Sequence, residues 1–221
     1  MREGAPPVLL DQAEIEQCVR SLGAEIAADH PDGVVLVGVL KGALIFVADL
    51  ARAIRGVDVI VDFIAISRYA PDSGRVRITH DLTTDLTGCD VVIVEDIVDT
   101  GLTLGFLVEH IRARGAQTVS VCALLDRPAR RILPLPVRYV GREIPDVFVL
   151  GYGQHLADLY RNLPCVVEAD RGLLAVDPGA YVDALYSRAP AAEGLPEGLP
   201  KHLPQGPEGP GARVRLETEA P

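Results

Sequence analysis

The sequence predicts an α/β fold in which a parallel, twisted sheet is flanked by helices. Short apolar runs, of the length that forms buried strands, alternate along the chain with stretches of helical periodicity. This alternation is typical of βαβ units with right-handed crossovers. In such sheets ligands bind at the carboxyl ends of the strands, and the polar motifs of this chain follow its predicted strands.

The first half of the chain predicts two helices and two strands before the central motif. Asp11 at the N-cap position and apolar residues on one face favour the first helix, and the turn His30–Gly33 ends it. The polar stretch Arg68–His80, which contains proline and glycine, predicts a mobile connection. The predicted elements are a helix over Asp11–His30, a strand over Val34–Val39, a helix over Ala43–Ile54 and a strand over Val57–Ser67.

The centre of the chain, Val91–Leu104, reads VVIVEDIVDTGLTL and predicts a strand, an acidic turn and a helix start. Val91–Val94 is the predicted strand, and apolar periodicity resumes over Leu104–Arg112. Backbone N–H groups at the helix N-terminus, beside threonine hydroxyls, form a cradle for a phosphate monoester. The carboxylates of the turn would repel phosphate alone, but they accept hydrogen bonds from sugar hydroxyls and hold Mg²⁺ through its waters.

The second half predicts three further strands and a tail. The strands are Thr118–Leu125, Val137–Val140 and Val147–Leu150, the last two on either side of a turn over Gly141–Pro145. Residues Leu185–Pro221 hold seven of the 17 prolines and show no helical or strand period. We therefore expect a folded domain over residues 1–184 and a Pro/Gly-rich disordered tail over 185–221, either a solvated appendage or a partner-binding segment.

Composition limits the classes of function. The chain has 221 residues with 48% hydrophobic content, enough for one sizeable core. A net charge of −10 argues against nucleic-acid binding, which needs a basic face. There is no apolar run of transmembrane length and no signal pattern, so we expect no membrane contact. The cysteines have no paired spacing, which favours reduced thiols in a cytoplasmic protein: Cys18, Cys89, Cys122 and Cys165.

The central motif is the most specific signal in the chain. A single carboxylate after a strand is ordinarily a solvated loop residue, and Thr100 alone would be a helix cap. The complete string E-D-x-x-D-T-G-x-T, however, resembles the phosphoribosyl-pyrophosphate (PRPP) motif of the type I phosphoribosyltransferases, in the form of the hypoxanthine-guanine branch. The resemblance covers about Val8 to Glu168 and implies that family's fold, a sheet flanked by helices with a small hood region.

The resemblance implies roles for the residues of the motif. Asp99 would be the catalytic base that takes a proton from the purine, since a carboxylate near N7 can accept it. Glu95 and Asp96 would hold the ribose hydroxyls and the waters of Mg²⁺, the implied cofactor. The 5′-phosphate would be held by Thr100, Gly101 and Thr103.

Three other segments match the family. Lys41 and Gly42 correspond to its pyrophosphate loop, which contains a cis peptide before the lysine; a snorkelling lysine is the alternative. Arg161, in the string YRNLP, would contact pyrophosphate through its fork of N–H donors. Ser67 and Tyr69 would lie at the base of a lid that excludes water from the reaction.

The purine-binding segment also matches but contains two departures. Phe148 would stack on the base, although a core aromatic is the alternative, and Val149 would offer backbone groups to its edge. Arg127 replaces a family lysine that donates to the purine 6-oxo oxygen, and arginine is longer, planar and always charged. His155 replaces a metal-binding aspartate, and imidazole is a poor Mg²⁺ ligand, so we expect weaker binding of a second metal ion, an altered preference among 6-oxopurines or reduced activity.

The resemblance implies an Mg²⁺-dependent transfer of 5-phosphoribose from PRPP to a 6-oxopurine, hypoxanthine or guanine, in purine salvage. The products would be IMP or GMP and pyrophosphate. Two alternatives remain at this point. One is a phosphoribosyltransferase for another base such as xanthine, and the other is a PRPP-binding regulator with weak or no catalysis. Family members associate as homo-oligomers, so a dimer or tetramer is expected.

Overall fold

The computed structural model describes residues 4–67 and 77–186, and these form two sheets with surrounding helices. The helices are α1 (Gln12–Asp29), α2 (Leu44–Ala53), α3 (Leu102–Ala113), α4 (Arg171–Val176) and α5 (Val182–Tyr186), with a 3-10 turn at Pro128–Arg130. The strands are β1 (Val8–Leu10), β2 (Val34–Leu40), β3 (Val59–Ser67), β4 (Arg77–His80), β5 (Asp90–Val98), β6 (Thr118–Asp126), β7 (Tyr139–Glu143), β8 (Phe148–Leu150) and β9 (Val166–Ala169).

The larger sheet has six strands in the order β4-β3-β2-β5-β6-β7. Every neighbouring pair from β3 to β7 is parallel, and β4 pairs with β3 in the antiparallel sense at one edge. The predicted α/β class is confirmed, although the sheet is mixed rather than wholly parallel. The order places β2 beside β5, so the loops that follow these two strands meet at the carboxyl end of the sheet.

Helices cover both faces of this sheet. On one face, Ile15 of α1 and Phe46 of α2 pack with Val92 and Val94 of β5 in one buried cluster. On the other face, Leu107 of α3 packs with a second buried cluster that includes Ile93. Since residues of a strand alternate between faces, a run buried on both sides reads as continuously apolar, which is why Val91–Val94 was recognisable.

The first helix begins where its capping signal predicts. The Asp11 carboxylate accepts a hydrogen bond from the N–H of Glu14 at 2.8 Å, and the Glu14 carboxylate accepts one from the N–H of Asp11 at 3.0 Å. This reciprocal pair is a capping box. After α1 the chain turns at Gly33, whose φ of 110° favours glycine.

The second sheet is small and antiparallel, with the order β1-β9-β8. Its buried residues, among them Leu150 and Val167, pack with Leu174 of α4 and Tyr181. This unit fits the small hood that the resemblance implies. Strand β8 was predicted as Val147–Leu150, whereas β1 and β9 are too short for their periodicity to be read from the sequence.

Several predicted boundaries differ from the structure. The predicted mobile connection Arg68–His80 ends in a strand, β4, because Arg77–His80 pairs with β3. Strand β5 continues to Val98, so Glu95 and Asp96 belong to the strand and not to a turn. Strand β7 includes the first part of the predicted turn Gly141–Pro145, because parallel pairing with β6 extends to Glu143. Helix α5 includes Leu185 and Tyr186, the first two residues of the predicted tail; the rest of that tail, 187–221, lies outside the described residues.

Membrane insertion was not expected from the sequence. In residues 4–67 and 77–186, no helix has the length and apolar character that crossing a bilayer requires.

Candidate active site

The expected phosphate cradle lies where β5 leads into α3. Gly101 is the N-cap residue of α3 and has a left-handed backbone, with φ of 79°. The Thr100 hydroxyl accepts a hydrogen bond from the N–H of Leu102 at 3.4 Å, and Thr103 is in the first turn of the helix. Thr100, Gly101 and Thr103 are therefore together at one helix N-terminus, where N–H groups and the helix dipole favour an anion.

A neighbouring segment fixes this cradle in place. The Thr100 carbonyl accepts hydrogen bonds from the N–H groups of Ile132 and Leu133 at 3.0 and 2.9 Å. A Cβ at Gly101 would be 2.8 Å from the carbonyl oxygen of Leu133, closer than packing allows. Glycine is thus needed at position 101 for both its backbone angle and its small size.

The loop after β2 meets the acidic end of β5. The Leu40–Lys41 peptide bond is cis, as the resemblance implies. Gly42 lies so close to Asp96 that a Cβ at position 42 would overlap the Asp96 carboxylate. Asp96 also accepts a hydrogen bond from the N–H of Ile97 at 2.9 Å, while Glu95 is buried. Lys41, Gly42 and the two acidic residues therefore lie together at the carboxyl ends of β2 and β5.

Asp99 and Arg127 form a bidentate ion pair. The Nε and one terminal nitrogen of Arg127 each donate to an Asp99 carboxylate oxygen at 2.7 Å. The other terminal nitrogen donates to the Val147 carbonyl, and the Arg127 side chain is only 6% exposed. Arg131 donates to the backbone carbonyl of Asp99 at 3.0 Å. The predicted base and the predicted purine-binding arginine are thus in direct contact, a pairing that the sequence did not indicate.

The segment expected to bind the purine follows Val147. Phe148 is half-buried, and the guanidinium carbon of Arg171 lies 5.5 Å from the centre of its ring. Val149 is buried in β8 and pairs with Glu168 of β9. Part of the Phe148 side chain packs against the buried cluster of the hood, which is what a core aromatic would do. The rest of its surface is accessible to a ligand.

Residues 151–161 form a second loop that packs directly on the loop after β2. A Cβ at Gly153 would overlap the carbonyl oxygen of Gly42, so the two backbones touch. Arg161 donates to the Gly153 carbonyl at 2.7 Å. Asp158 lies between Arg161 and Lys41, a position that sequence reasoning missed because no motif contains it. Its pKa is lowered chiefly by the hydrogen bond from Arg161, with Lys41 contributing.

The predicted lid residues are described only in part. Ser67 is the last residue of β3 and pairs with Arg77 of β4, so it lies at one end of the connection between these strands. Tyr69 falls outside the described residues, as does most of the predicted lid.

A cavity of about 570 Å³ lies between α1, α2 and residues 152–164. Tyr152 lines it, and its hydroxyl donates to Asp49 at 2.6 Å. Burial is the main cause that raises the Tyr152 pKa, so this hydroxyl stays protonated. None of the residues expected to bind PRPP or the purine lines this cavity. The carboxyl ends of β2 and β5, where those residues lie, are therefore the better candidate for the active site.

Comparisons with known proteins agree with this geometry. The family model of the phosphoribosyl transferase domain matches residues 8–155. A hypoxanthine-guanine phosphoribosyltransferase of Bacillus subtilis is 43% identical over 170 residues, which cover 75% of this chain and 94% of the relative. The chain belongs to the phosphoribosyltransferase family. A hypoxanthine phosphoribosyltransferase of Escherichia coli is 41% identical over 165 residues, covering 72% of this chain and 92% of the relative.

Solved phosphoribosyltransferases share the fold. The structure of a hypoxanthine-guanine phosphoribosyltransferase from Bacillus anthracis matches with a TM-score of 0.72 at 38% identity, covering 75% of this chain and 99% of the other. A hypoxanthine phosphoribosyltransferase from Trypanosoma cruzi, in complex with its product IMP, matches with a TM-score of 0.73 at 35% identity, covering 78% and 98%.

Phosphoribosyltransferases generally need a divalent metal, and the oxygen donors at the end of β5 suit one. In the ranges 4–67 and 77–186, no three acidic, histidine or cysteine side chains form a self-contained metal cluster. Mg²⁺ commonly binds through one or two carboxylates together with substrate phosphates, so Glu95 and Asp96 fit it. His155 fits less well, because its Nδ1 accepts the N–H of Asp158 at 3.1 Å.

Proposed function

We propose that this phosphoribosyltransferase transfers 5-phosphoribose from PRPP to N9 of a 6-oxopurine, hypoxanthine or guanine, in purine salvage. The products are IMP or GMP and pyrophosphate. The observation that carries the proposal is the E-D-x-x-D-T-G-x-T string at a strand end and helix N-terminus. Two relatives at 43% and 41% identity, matched over more than nine tenths of their length, are named hypoxanthine-guanine and hypoxanthine phosphoribosyltransferase, which supports the proposal.

The 5′-phosphate binds at the N-terminus of α3. Backbone N–H groups and the hydroxyls of Thr100 and Thr103 supply its hydrogen bonds, and the helix dipole adds to them. Asp96 and Glu95 accept hydrogen bonds from the ribose hydroxyls. These contacts hold the ribose with its C1 towards the loop after β2, because Gly42 packs against Asp96.

The pyrophosphate half of PRPP binds between the two touching loops. Lys41 and Arg161 supply positive charge there, and the backbone of Gly42 approaches closely. Mg²⁺, held by Glu95 and Asp96 through water, would neutralise phosphate charge when bound. Together these groups stabilise the leaving pyrophosphate as the bond from C1 to its oxygen breaks, which favours the transition state over the bound substrate.

The purine binds between Phe148 and the Asp99–Arg127 pair. Its N9 forms the new bond to C1, and the proton that the purine loses is accepted by Asp99. Arg127 donates one N–H to each oxygen of that carboxylate, so each oxygen keeps a further lone pair that can accept the proton. Asp99 and the Val147 carbonyl use three of the five Arg127 N–H groups, and a remaining one donates to the 6-oxo oxygen of the purine. A 6-amino group would not accept this hydrogen bond.

A regulator that binds PRPP without catalysis is the second candidate. The Asp99–Arg127 pair favours it, since a carboxylate held by two hydrogen bonds is less available as a base. The discriminating assay mixes the protein with PRPP, Mg²⁺ and, in turn, hypoxanthine, guanine, xanthine and adenine, and follows pyrophosphate release. Release with hypoxanthine or guanine supports the enzyme. PRPP binding with no release for any base supports the regulator, and preferential release with xanthine identifies another acceptor.

We also propose a cytoplasmic homo-oligomer, a dimer or tetramer. Free thiols at all four cysteines agree with a reducing compartment. Sedimentation of the purified chain measures the oligomeric state.

A further inference from the structure

Asp158 occupies a tight turn with an unusual backbone. Leu156 and Leu159 form an isolated antiparallel bridge, and the N–H of Leu159 donates to the Leu156 carbonyl at 2.9 Å. The two residues between them, Ala157 and Asp158, have φ of 49° and 60°. Left-handed angles at consecutive non-glycine residues are disfavoured, and such conformations concentrate at functional sites.

The turn places the Asp158 carboxylate between two cations from different loops. One of its oxygens, Oδ1, is 3.0 Å from a terminal nitrogen of Arg161, 3.3 Å from Arg161 Nε and 3.6 Å from Lys41 Nζ. The hydrogen bond from Arg161 lowers the Asp158 pKa, so the carboxylate is ionised at neutral pH. A single oxygen therefore joins the loop after β2 to the loop 151–161.

These ion pairs contribute little to folding. The side chains of Asp158 and Lys41 are 64% and 70% exposed, and ion pairs in water at such exposure have small effects on stability. An unfavourable turn that supports a weak surface pair is poorly explained by stability. It is explained if the carboxylate orients Lys41 and Arg161 for a ligand.

Arg161 keeps free N–H donors for such a ligand even though Asp158 and Gly153 hold its guanidinium group. Asp158 takes its Nε and one terminal nitrogen, and the Gly153 carbonyl accepts from the other at 2.7 Å. These contacts use three of the five guanidinium N–H groups, which leaves two for an anion. The planar fork is thus fixed in direction before the anion arrives.

We propose that Asp158 is a positioning residue for the pyrophosphate half of the site, where it bridges Lys41 and Arg161 and aligns both cations on the leaving group. This inference rests on the proposed function and adds to it a residue that no motif includes. Asp158 touches the two cations and not the reacting atoms. Its effect is therefore expected on PRPP and pyrophosphate affinity, and not on the purine.

The test compares Asp158→Asn and Asp158→Glu in the full chain with the unaltered enzyme. Asp158→Asn keeps the shape but loses the charge, so the KM for PRPP should rise about tenfold, the KM for hypoxanthine should stay constant and the melting temperature should not change. Asp158→Glu should restore the KM for PRPP to within about threefold of the unaltered value, because it restores the charge. Glu109→Gln is the matched control, since Glu109 is an exposed carboxylate paired with Arg112 in α3 at 2.9 Å.

A double-mutant cycle adds a second readout. If Asp158 acts through Lys41, Lys41→Met and Asp158→Asn should have less than additive effects on the affinity for pyrophosphate with Mg²⁺, measured by calorimetry. Additive effects would overturn the inference. So would a KM for PRPP that is unchanged or lower in Asp158→Asn, or one that Asp158→Glu does not restore. The unaltered chain separates failure of this inference from failure of the proposed function. If it binds PRPP and releases pyrophosphate, only the role of Asp158 is overturned; if it does neither, the proposed function fails as well.

Discussion

Asp99 and Arg127 form the ion pair on which the proposed purine binding depends. Arg127 is buried, so a lost partner would leave its charge inside the protein at a considerable free-energy cost. Asp99 is about one third exposed, which allows a ligand to reach its carboxylate. The pair therefore has a structural function in the free protein, and in the proposed reaction it has a chemical function as well.

The first prediction concerns Asp99→Asn. Asparagine still accepts one hydrogen bond from Arg127 but is a very weak base, so kcat should fall by about 10²–10⁴. The KM for PRPP should change by less than about threefold, because the α3 cradle and the two cationic loops are intact. Steady-state kinetics with hypoxanthine measure both quantities.

Asp146→Asn is the control for Asp99→Asn. Asp146 lies 3.8 Å from Arg127 and also pairs with Arg130, so its loss disturbs the same group of arginines without touching the proposed base. Its turnover should remain within about threefold of the unaltered value. Equal losses of kcat in both variants would mean that Asp99 acts by holding Arg127 and not as a base.

Residues were predictable where the chemistry lies in a continuous string. Thr100, Gly101 and Thr103 occupy one helix N-terminus because they are neighbours in the chain. Asp158 was missed because its contacts with Lys41 join residues far apart in sequence through a turn that no propensity favours. The contact between Arg127 and Asp99 was missed for the same reason, although both residues were identified.

At the scale of elements, the site depends on how closely two loops approach the end of β5. Gly42 touches Asp96 on one side and the Gly153 backbone on the other. No side chain fits at position 42 without moving Asp96. The pairing of β2 with β5 sets this distance, since the loop leaves β2 beside the acidic residues.

The second prediction concerns Gly42→Ala. Its Cβ would displace the Asp96 carboxylate, so the KM for PRPP should rise at least about tenfold, while most of the fold is unaffected. Gly88→Ala is the control: Gly88 has φ of 72° and open space around it, so alanine should cost about 1 kcal/mol of stability and leave the KM unchanged. An unchanged KM in Gly42→Ala would contradict this account of the loop.

Long elements with strong patterns were predicted well, whereas the short strands β1, β4 and β9 were not. The capping box of α1 and the apolar runs of β2 and β5 are local signals. Strands β1 and β9 pair across most of the chain, and only tertiary packing stabilises strands of that length. The end of β5 was misplaced because Glu95 and Asp96 have polar side chains, while their backbones continue the ladder with β6.

At the scale of the whole molecule, acidic residues outnumber basic ones, 31 to 21, and many are held ionised. Asp62 shows how: its burial raises the pKa, but hydrogen bonds from the N–H groups of Thr84, Phe63 and Thr83 outweigh burial and lower it. Other hydrogen bonds lower the pKa of five further aspartates: Asp29, Asp81, Asp85, Asp90 and Asp158.

The third prediction is a loss of stability in acid. A folded-state pKa below the unfolded value of about 3.9 means that the unfolded chain binds more protons, so these groups stabilise the fold above about pH 4. The contribution of these aspartates to the free energy of unfolding, measured in urea, should be nearly constant from pH 7 to pH 5. It should fall as the pH drops through their lowered folded-state pKa values. Asp62→Asn should be less stable at pH 7 by about 1–3 kcal/mol and lose less on acidification. Equal stability at pH 7 and pH 3 would contradict this account.

The central claim is that PRPP binds where β5 leads into α3, and calorimetric titration with PRPP tests it most directly. The account predicts saturable binding at one site per chain when Mg²⁺ is present, and about tenfold weaker binding in Thr103→Val, which loses a hydroxyl from the phosphate cradle. The absence of binding heat with Mg²⁺ present, or unaltered affinity in that variant, would contradict it.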